Sequence, residues 1–230
     1  MTDGTDARRV RIDAHLHTVA SHDCQTPPED ILAAARRSDL DGVVVTDHDT
    51  VEGARIAESL AGPDDPVVIR GCEVSTAHGH LLGIGVDDAP APGRPLARTA
   101  REIRRQGGIA VVPHPFQRSR HGVARDAVKA VDGIEVYNAH TLTNVRNAQA
   151  QRFSARHDFP EFGGSDAHTA ASVGNAATEV AIDAGRSVTH GAVLDAMRAG
   201  RTEAVGRRVP ALRYVGRMVN AATRKTLSFL

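Results

Sequence analysis

The stretch TPPEDILAAARRSDLDGVVVTDH, residues 26–48, decides the fold class because a helix signal in it is followed directly by a strand signal. Thr26 stands three residues before Glu29, as in a capping box, and Pro27 occupies the first helical position. This pattern predicts a helix over about 27–38. The closing GVVVTDH is a short β-branched run, which is typical of a buried strand. A helix joined to such a strand predicts a βα unit of a parallel sheet.

The same alternation of strands and helices continues along the chain. Further strands are predicted at 10–15, 66–75, 80–86, 109–114, 133–140 and 161–168, and helices at 51–61, 95–108, 124–131, 144–157 and 187–199. The two strands at 66–75 and 80–86 are interpreted as a hairpin. No internal repeat and no linker rich in Gly, Ser or Pro divides the chain, so we expect one α/β barrel domain over 1–208.

Composition limits the functional classes. Hydrophobic residues make up 41% of the 230 residues and aromatic residues only 3%, so the core has to consist of Val, Ile, Leu and Ala. The formal net charge is zero, which favours neither a nucleic-acid nor a membrane partner. Two cysteines are too few for a disulfide framework, and there is no apolar leader and no run of membrane-spanning length. We therefore expect a reduced, cytoplasmic protein without a transmembrane segment.

The C-terminal segment 209–230 differs from the rest because its only charged side chains are basic. Apolar residues recur in it at helical spacing, at Leu212, Val215, Val219 and Ala222. This pattern predicts a basic amphipathic helix. We expect the helix to pack on the barrel or to contact a second subunit or another partner; a membrane-surface or RNA contact is the weaker alternative.

The first strand, in RIDAHLHT at 11–18, carries two histidines on one face. Side chains two positions apart in a strand project the same way, so His15 and His17 point together with Asp13 behind them. Such a pair alone is weak support for a metal site, because partly exposed polar pairs are common.

Recurrence at the other strand ends changes the interpretation. Residues able to bind metal lie at or just beyond the ends of the predicted strands: His15, His17, His22, His48, Glu73, His114, His140, Asp166 and His168. The carboxyl ends of barrel strands converge on one face, where active sites form. The sequence therefore predicts a metal centre there, with an ordinary loop residue as the alternative for His22.

The donor types indicate the chemistry. Imidazole and carboxylate ligands without thiolate suit Mn, Fe or Zn. Two such ions can share a hydroxide that attacks phosphorus, and they can stabilise the entering and leaving oxygens. Arg118 and Arg120 follow His114 in HPFQRSRHG and are candidates for a phosphate clamp, with Arg146 as a third; ordinary solvated arginines are the alternative.

Six motifs in this order resemble the PHP (polymerase and histidinol phosphatase) family: HLHT…SHD, VVTDHDT, GCEVST…GHLLGIG, VVPHP, YNAH and GGSDAH. The resemblance implies a distorted (β/α)7 TIM-like barrel with two or three divalent metal ions (Mn, Fe or Zn) at the C-terminal strand ends. It also implies a phosphoesterase, since the family includes histidinol-phosphate and nucleotide phosphatases and polymerase-associated exonucleases.

The resemblance also distributes the ligands. It implies a first metal on His15, His17, Glu73 and Asp166, a second on Glu73, His114 and His140, and a third on His22, His48 and His168. Many relatives have Asp at the His22 position. We expect His168, Arg118 and Arg120 to act in catalysis, and Asp13, Asp47, His80 and Arg146 to support the ligands or contact the substrate.

The sequence therefore predicts a metal-dependent phosphoesterase for phosphomonoesters (nucleotide, sugar or histidinol-phosphate-like) or for nucleic-acid ends. One alternative is an amidohydrolase-type C–N hydrolase on a similar barrel, although such enzymes commonly use a carboxylated lysine and both Lys129 and Lys225 fall on predicted helices. A non-catalytic PHP-like subunit of an RNA- or DNA-processing complex is the other alternative.

Overall fold

A nine-stranded mixed sheet lies at the centre of the computed structural model, which describes residues 7–141 and 143–206. The strands are β1 (Arg8–Leu16), β2 (Gly42–Val45), β3 (Val67–Thr76), β4 (Gly79–Ile84), β5 (Ile109–Val112), β6 (Gly133–Asn138), β7 (Glu161–Gly164), β8 (Ala176–Ile182) and β9 (Thr202–Gly206). The helices are α1 (Pro28–Arg37), α2 (Glu52–Leu60), α3 (Leu96–Arg105), α4 (Val145–His157) and α5 (His190–Arg198). The predicted basic helix at 209–230 lies outside the described residues.

The strands run in the order β7-β6-β5-β4-β3-β2-β1-β8-β9. Strands β1 to β3 are parallel, as are β5 to β7, and β4 is antiparallel to both of its neighbours. The predicted hairpin of β3 and β4 is confirmed. Strands β8 and β9 were not predicted; β8 pairs antiparallel with β1, and β9 pairs antiparallel with β8. Their sequences, AATEVAI and TEAVG, lack the β-branched runs that mark the other strands.

The two ends of the parallel part of the sheet meet just beyond β1 and β7. The backbone N–H of Asp166 donates to the His15 carbonyl at 2.7 Å, and the N–H of His17 donates to the Ala167 carbonyl at 2.9 Å. The sheet is thereby nearly closed into a barrel, which confirms the predicted fold class.

The helix predicted over 27–38 is present as α1, but two local predictions are wrong, namely the Thr26 capping box and the helix at 124–131. Helix α1 begins after Pro27, no side chain caps it, and the Thr26 hydroxyl instead donates to the His168 carbonyl at 3.2 Å. The segment 124–131 forms turns rather than a helix. Its buried valines are spaced five and three residues apart, at 123, 128 and 131, which does not form one helical face.

Apolar side chains fill the interior away from the strand ends. Ile12, Ile69, Leu82 and Phe162 are almost completely buried in one cluster to which α5 contributes Met197. Each such side chain contributes roughly 1.5–3 kcal/mol by leaving water. Both cysteines are buried free thiols, and none of the helices among the described residues has the length and apolar character needed to cross a membrane.

Candidate metal centre

Strand β1 delivers two fully buried imidazoles to one point. The Nε2 atoms of His15 and His17 lie 3.2 Å apart, and each lies 3.3 Å from the same oxygen, Oε2 of Glu73 on β3. Glu73 is also buried, so water does not screen these contacts.

The carboxylate of Glu73 faces imidazoles with both of its oxygens. Oε1 lies 3.0 Å from Nε2 of His114 and 2.8 Å from Nδ1 of His80. Oε2 faces the β1 histidines and also lies 3.5 Å from Nδ1 of His48. One carboxylate surrounded in this way can serve two neighbouring cations.

Two donors follow their strands in the left-handed region of backbone conformation. His114 has φ 30° and Asp166 has φ 52°. Such conformations are strained for residues other than glycine and concentrate at functional sites. The strained turn at Asp166 brings its Oδ1 atom 3.8 Å from Nε2 of His15 and 3.6 Å from Nε2 of His17.

The loop after β1 contributes Asp23 rather than His22. Oδ2 of Asp23 lies 3.0 Å from Nε2 of His168 and 3.5 Å from Nε2 of His48, whereas His22, which is exposed like Asp23, has its ring centroid 4.9 Å from that of His48. Ser21 fixes this loop, because its hydroxyl lies 3.0 Å from Nδ1 of His17 and accepts from the His48 N–H at 2.9 Å. The sequence pattern predicted His22 of SHD as a metal ligand and not the adjacent Asp23.

His140 lies against Asp166. Its Nδ1 atom is 3.0 Å from the Asp166 carbonyl and 3.7 Å from Oδ1 of the same residue. Among the described residues, no group of three donors within 4.8 Å of one another includes His140. The imidazole that contacts Glu73 together with His114 is therefore that of His80, where the sequence predicted His140.

Arg120 reaches the centre from the short 3-10 turn Arg118–Arg120. It forms an ion pair with Asp166 and donates to Oδ1 of Asn138 at 3.2 Å. The Arg118 side chain lies outside the described part of the chain. Arg146 is exposed on α4, where it donates to Gln149 at 2.8 Å.

A buried carboxylate on β6, Glu135, was also missed in the sequence. Its Oε1 atom lies 3.1 Å from Nδ1 of His15, and its Oε2 accepts from the His114 N–H at 2.7 Å. Asn138 joins it to the centre, since its amide donates to Glu135 and to Asp166, each at 2.9 Å. An acid inside the otherwise apolar run GIEVYN was the available signal.

Asp13 and Asp47 hold backbone and loops rather than imidazole rings. Asp13 accepts from the N–H groups of Ser165 and Gly174, both at 2.9 Å. Asp47 accepts from the backbone N–H of Thr18 at 2.6 Å and from its hydroxyl at 2.7 Å. Both carboxylates are buried beneath the centre.

Comparisons with known proteins agree with this fold. A family model described as PHP-associated matches residues 144–202. The chain is 28% identical over 149 residues to an uncharacterized protein of Methanocaldococcus jannaschii, with 60% of this chain and 87% of the relative covered.

Two solved structures share the fold. A two-domain protein from Bacteroides vulgatus, containing a predicted PHP-like metal-dependent phosphoesterase, matches with a TM-score of 0.72 and 20% identity over 90% of this chain and 68% of its own. The lesion-specific endonuclease PfuEndoQ from Pyrococcus furiosus matches with a TM-score of 0.60 and 16% identity over 86% and 58%.

The chain is thus similar to PHP-associated sequences over residues 144–202 and shares its fold with PHP-like proteins.

The carboxylates of the centre are held in their ionised form. Burial alone raises the pKa of Glu73, but His15 and His114 outweigh it and hold that pKa well below its usual value. The pKa of Asp166 is likewise well below its usual value, because Arg120 and His15 outweigh the effect of burial. Ionised carboxylates are what a divalent cation requires.

The imidazoles divide into two groups. Burial lowers the pKa of His15, but Asp166 and Glu135 outweigh it, so this pKa is well above the usual value. The pKa of His168 is raised in the same way, because the effect of Asp23 outweighs that of burial. Burial dominates at His114, whose pKa is lowered.

Several buried nitrogen and oxygen atoms that could bind a metal lack a hydrogen-bond partner within the described chain: Oδ1 of Asp166, Nδ1 of His48 and Nδ1 of His114. Buried polar atoms are normally satisfied, so these fit a site built for cations. Five groups of three side chains could each hold an ion, because their ligand atoms lie within 4.8 Å of one another. The groups are His15–His114–Asp166, His15–His17–Glu73, His17–Asp166–His168, His17–Asp23–His48 and His48–Glu73–His80. They open into a cavity of about 640 Å³.

Proposed function

We propose that this protein is a metal-dependent hydrolase of phosphate esters. The observation that carries the proposal is the Glu73 carboxylate, whose two oxygens face imidazoles on both sides while Asp166 closes the group from β7. A mixed oxygen and nitrogen donor set without thiolate suits Mn, Fe or Zn.

The ligands are proposed in three sets, of which the first two share Glu73. His15, His17, Glu73 and Asp166 would hold one ion, Glu73 with His114 and His80 a second, and Asp23, His48 and His168 a third. Divalent ions bound there would supply Lewis-acid charge and an activated water for in-line displacement at phosphorus.

The chain's own residues would bind and orient the phosphate. Arg120 lines the cavity, and its planar guanidinium matches two phosphate oxygens. His80 and His121 stack with ring centroids 5.0 Å apart along the cavity wall and would limit the width of the ester group. A small phosphorylated molecule and a nucleic-acid end both remain within this proposal.

The names of two similar structures support the phosphoester class, since one contains a predicted metal-dependent phosphoesterase and the other is an endonuclease, whereas a third, from Chromobacterium violaceum, is named an amidohydrolase. The C–N hydrolase alternative is less well supported. Lys129, the one lysine among the described residues, is exposed and does not line the cavity, so no carboxylated lysine bridge is available there. A non-catalytic role is less well supported because the donor groups are intact.

A phosphate-release screen tests the proposal. Protein reconstituted with Mn, Fe or Zn is offered sugar phosphates, nucleotides and short oligonucleotides, and bound metal is measured in parallel. We expect chelator-sensitive release from at least one class, reduced at least about a hundredfold by Asp166→Ala, while Asp126→Ala at an exposed position leaves the rate unchanged. Absence of release with every metal, or full activity of Asp166→Ala, would contradict the proposal.

A further inference from the structure

An exposed row of arginines runs down α3 from the rim of the cavity. Its members are Arg94, Arg98, Arg101 and Arg105, which we call the α3 arginine stripe. In the helix, positions 98, 101 and 105 lie on one face because they are three and four residues apart. The opposite face is buried against the barrel by Leu96, Thr99, Ala100 and Ile103.

The stripe carries charge that nothing in the described chain neutralises. No carboxylate of the described residues lies within 4.0 Å of its four guanidinium groups, and Glu102 is the one acid on the helix itself. The next arginine, Arg104, contrasts with them because it pairs with Asp132 at 2.9 Å. Several arginines elsewhere are paired with acids, namely Arg9, Arg55, Arg186, Arg198 and Arg201, while others such as Arg37, Arg152 and Arg156 also lack an acid partner among the described residues.

The start of the stripe is joined to the cavity wall. The N–H of Gly93 donates to the Ser75 carbonyl at 2.7 Å, and the Arg94 carbonyl accepts from the Ala77 N–H at 2.9 Å. Nδ1 of His78 accepts from the Leu96 N–H at 3.3 Å. Ser75, Ala77 and His78 all line the cavity that contains the metal centre, so a polyanion could extend from the cavity onto α3 without crossing other elements.

We propose that the α3 arginine stripe binds the sugar–phosphate backbone of a nucleic acid whose end lies at the metal centre. This inference rests on the proposed function and narrows its substrate from phosphate esters in general to oligonucleotides. Arg98 and Arg105 are about 10 Å apart along the helix axis. That distance corresponds to about three phosphates of one duplex strand, which follow one another every ~3.4 Å along the duplex axis.

The stripe contains no aromatic side chain on which bases could stack. Recognition would therefore depend on phosphate charge, would be insensitive to base sequence, and would weaken steeply with salt. A mononucleotide would occupy only the cavity and would not reach the distal arginines.

Binding and hydrolysis are measured separately. Fluorescence anisotropy follows Mn-loaded protein with phosphorothioate oligonucleotides of one, three, six and ten residues. Arg98→Gln/Arg101→Gln/Arg105→Gln is compared with a matched control, Arg37→Gln/Arg152→Gln/Arg156→Gln, at exposed positions on α1 and α4. Circular dichroism melts verify that both variants fold.

We expect the wild type to bind the longer oligonucleotides much more tightly than a mononucleotide. The stripe variant should weaken the longer complexes at least about tenfold and reduce the slope of log Kd against log salt by about two, from three lost single-strand contacts. Mononucleotide binding and hydrolysis should not change, and the control variant should behave as the wild type.

The inference is overturned if affinity does not increase with length, or if the stripe variant weakens binding no more than the control does. Failure of the proposed function looks different, because it would be the absence of hydrolysis of any phosphoester while length-dependent, stripe-dependent binding persisted.

Discussion

The buried carboxylate of Glu135 acts on the centre through the imidazole of His15. Because Glu135 lies 3.1 Å from Nδ1 of His15, it favours the tautomer with the proton on Nδ1. Nε2, the atom that faces Glu73 and His17, is then left as a lone-pair donor. Such outer partners fix the ring orientation and raise ligand basicity.

Replacing Glu135 tests this role. We expect Glu135→Gln to weaken metal binding about 10–100-fold, because the amide can also present its NH2 group to Nδ1 and so favour the wrong tautomer. Titration of metal-free protein with Mn by calorimetry measures the change, with the exposed Glu29→Gln as control. Equal affinities for wild type and Glu135→Gln would contradict the assigned role.

Protons compete with metal at the same residues. The pKa of His15 is well above its usual value, and those of His17 and His168 are also raised, by nearby carboxylates that outweigh burial. The metal-free site therefore holds protons at neutral pH, which ligand imidazoles must release when a metal binds.

Metal affinity is accordingly expected to rise with pH through the neutral range. Calorimetric titration at pH 7 in buffers of different ionisation enthalpy measures the number of protons released, and we expect about one or more per ion bound at the first set of ligands. Binding heats that are the same in every buffer would show that no imidazole loses a proton.

At the scale of single elements, the start of α2 lies against the loop network beneath the centre. A Cβ atom at Gly53 would stand 2.0 Å from Oδ2 of Asp47 and 2.2 Å from Oγ1 of Thr18. Those two side chains hydrogen-bond to each other at 2.7 Å, so the helix can approach them only with glycine at this position.

Alanine at this position should therefore be harmful although it favours helices. Gly191 provides a matched control, because it is also the second residue of its helix, α5, and nothing lies within 4 Å of its Cβ position. We expect Gly191→Ala to raise the free energy of unfolding by up to ~1 kcal/mol and Gly53→Ala to lower it by ~1–3 kcal/mol in urea titrations. Equal effects of the two substitutions would contradict the close approach at α2.

At the scale of the whole molecule, barrel closure depends on a charged group beneath the metal centre. Asp13 on β1 accepts from the N–H groups of Ser165 and Gly174, which flank the segment carrying Asp166 and His168. Burial raises the pKa of Asp13 from 3.8 to about 6, against the opposing effect of its hydrogen bonds. The folded protein therefore binds more protons here than the unfolded chain does between these two values.

This linkage predicts a pH-dependent stability difference. The free energy of unfolding should fall as pH rises from about 4 to 6 because of Asp13, whereas Asp13→Asn does not titrate. We expect the wild type to lose about 2–3 kcal/mol relative to Asp13→Asn between pH 4 and pH 7, measured by urea unfolding with EDTA present. A difference that stays constant with pH would contradict the raised pKa; Asp126→Asn is the control.

The sequence by itself determined the barrel class, most of the strands and helices, and the places where donor side chains cluster. These features follow from local periodicity and from the rule that parallel strand ends converge. It did not reveal β8, which pairs with β1, or β9, which pairs with β8; this pairing stabilises short segments without strong strand propensity.

Only the tertiary structure brought Asp23 of SHD to His48 and His168, because the contacts of Ser21 across two loops hold this segment. It also brought Glu135 to His15 from a strand 120 residues away, and used the Thr26 hydroxyl on the loop of His168 rather than on α1. Periodicity along one strand indicates on which face a side chain lies, but the identity of its partner depends on how distant strands close around it.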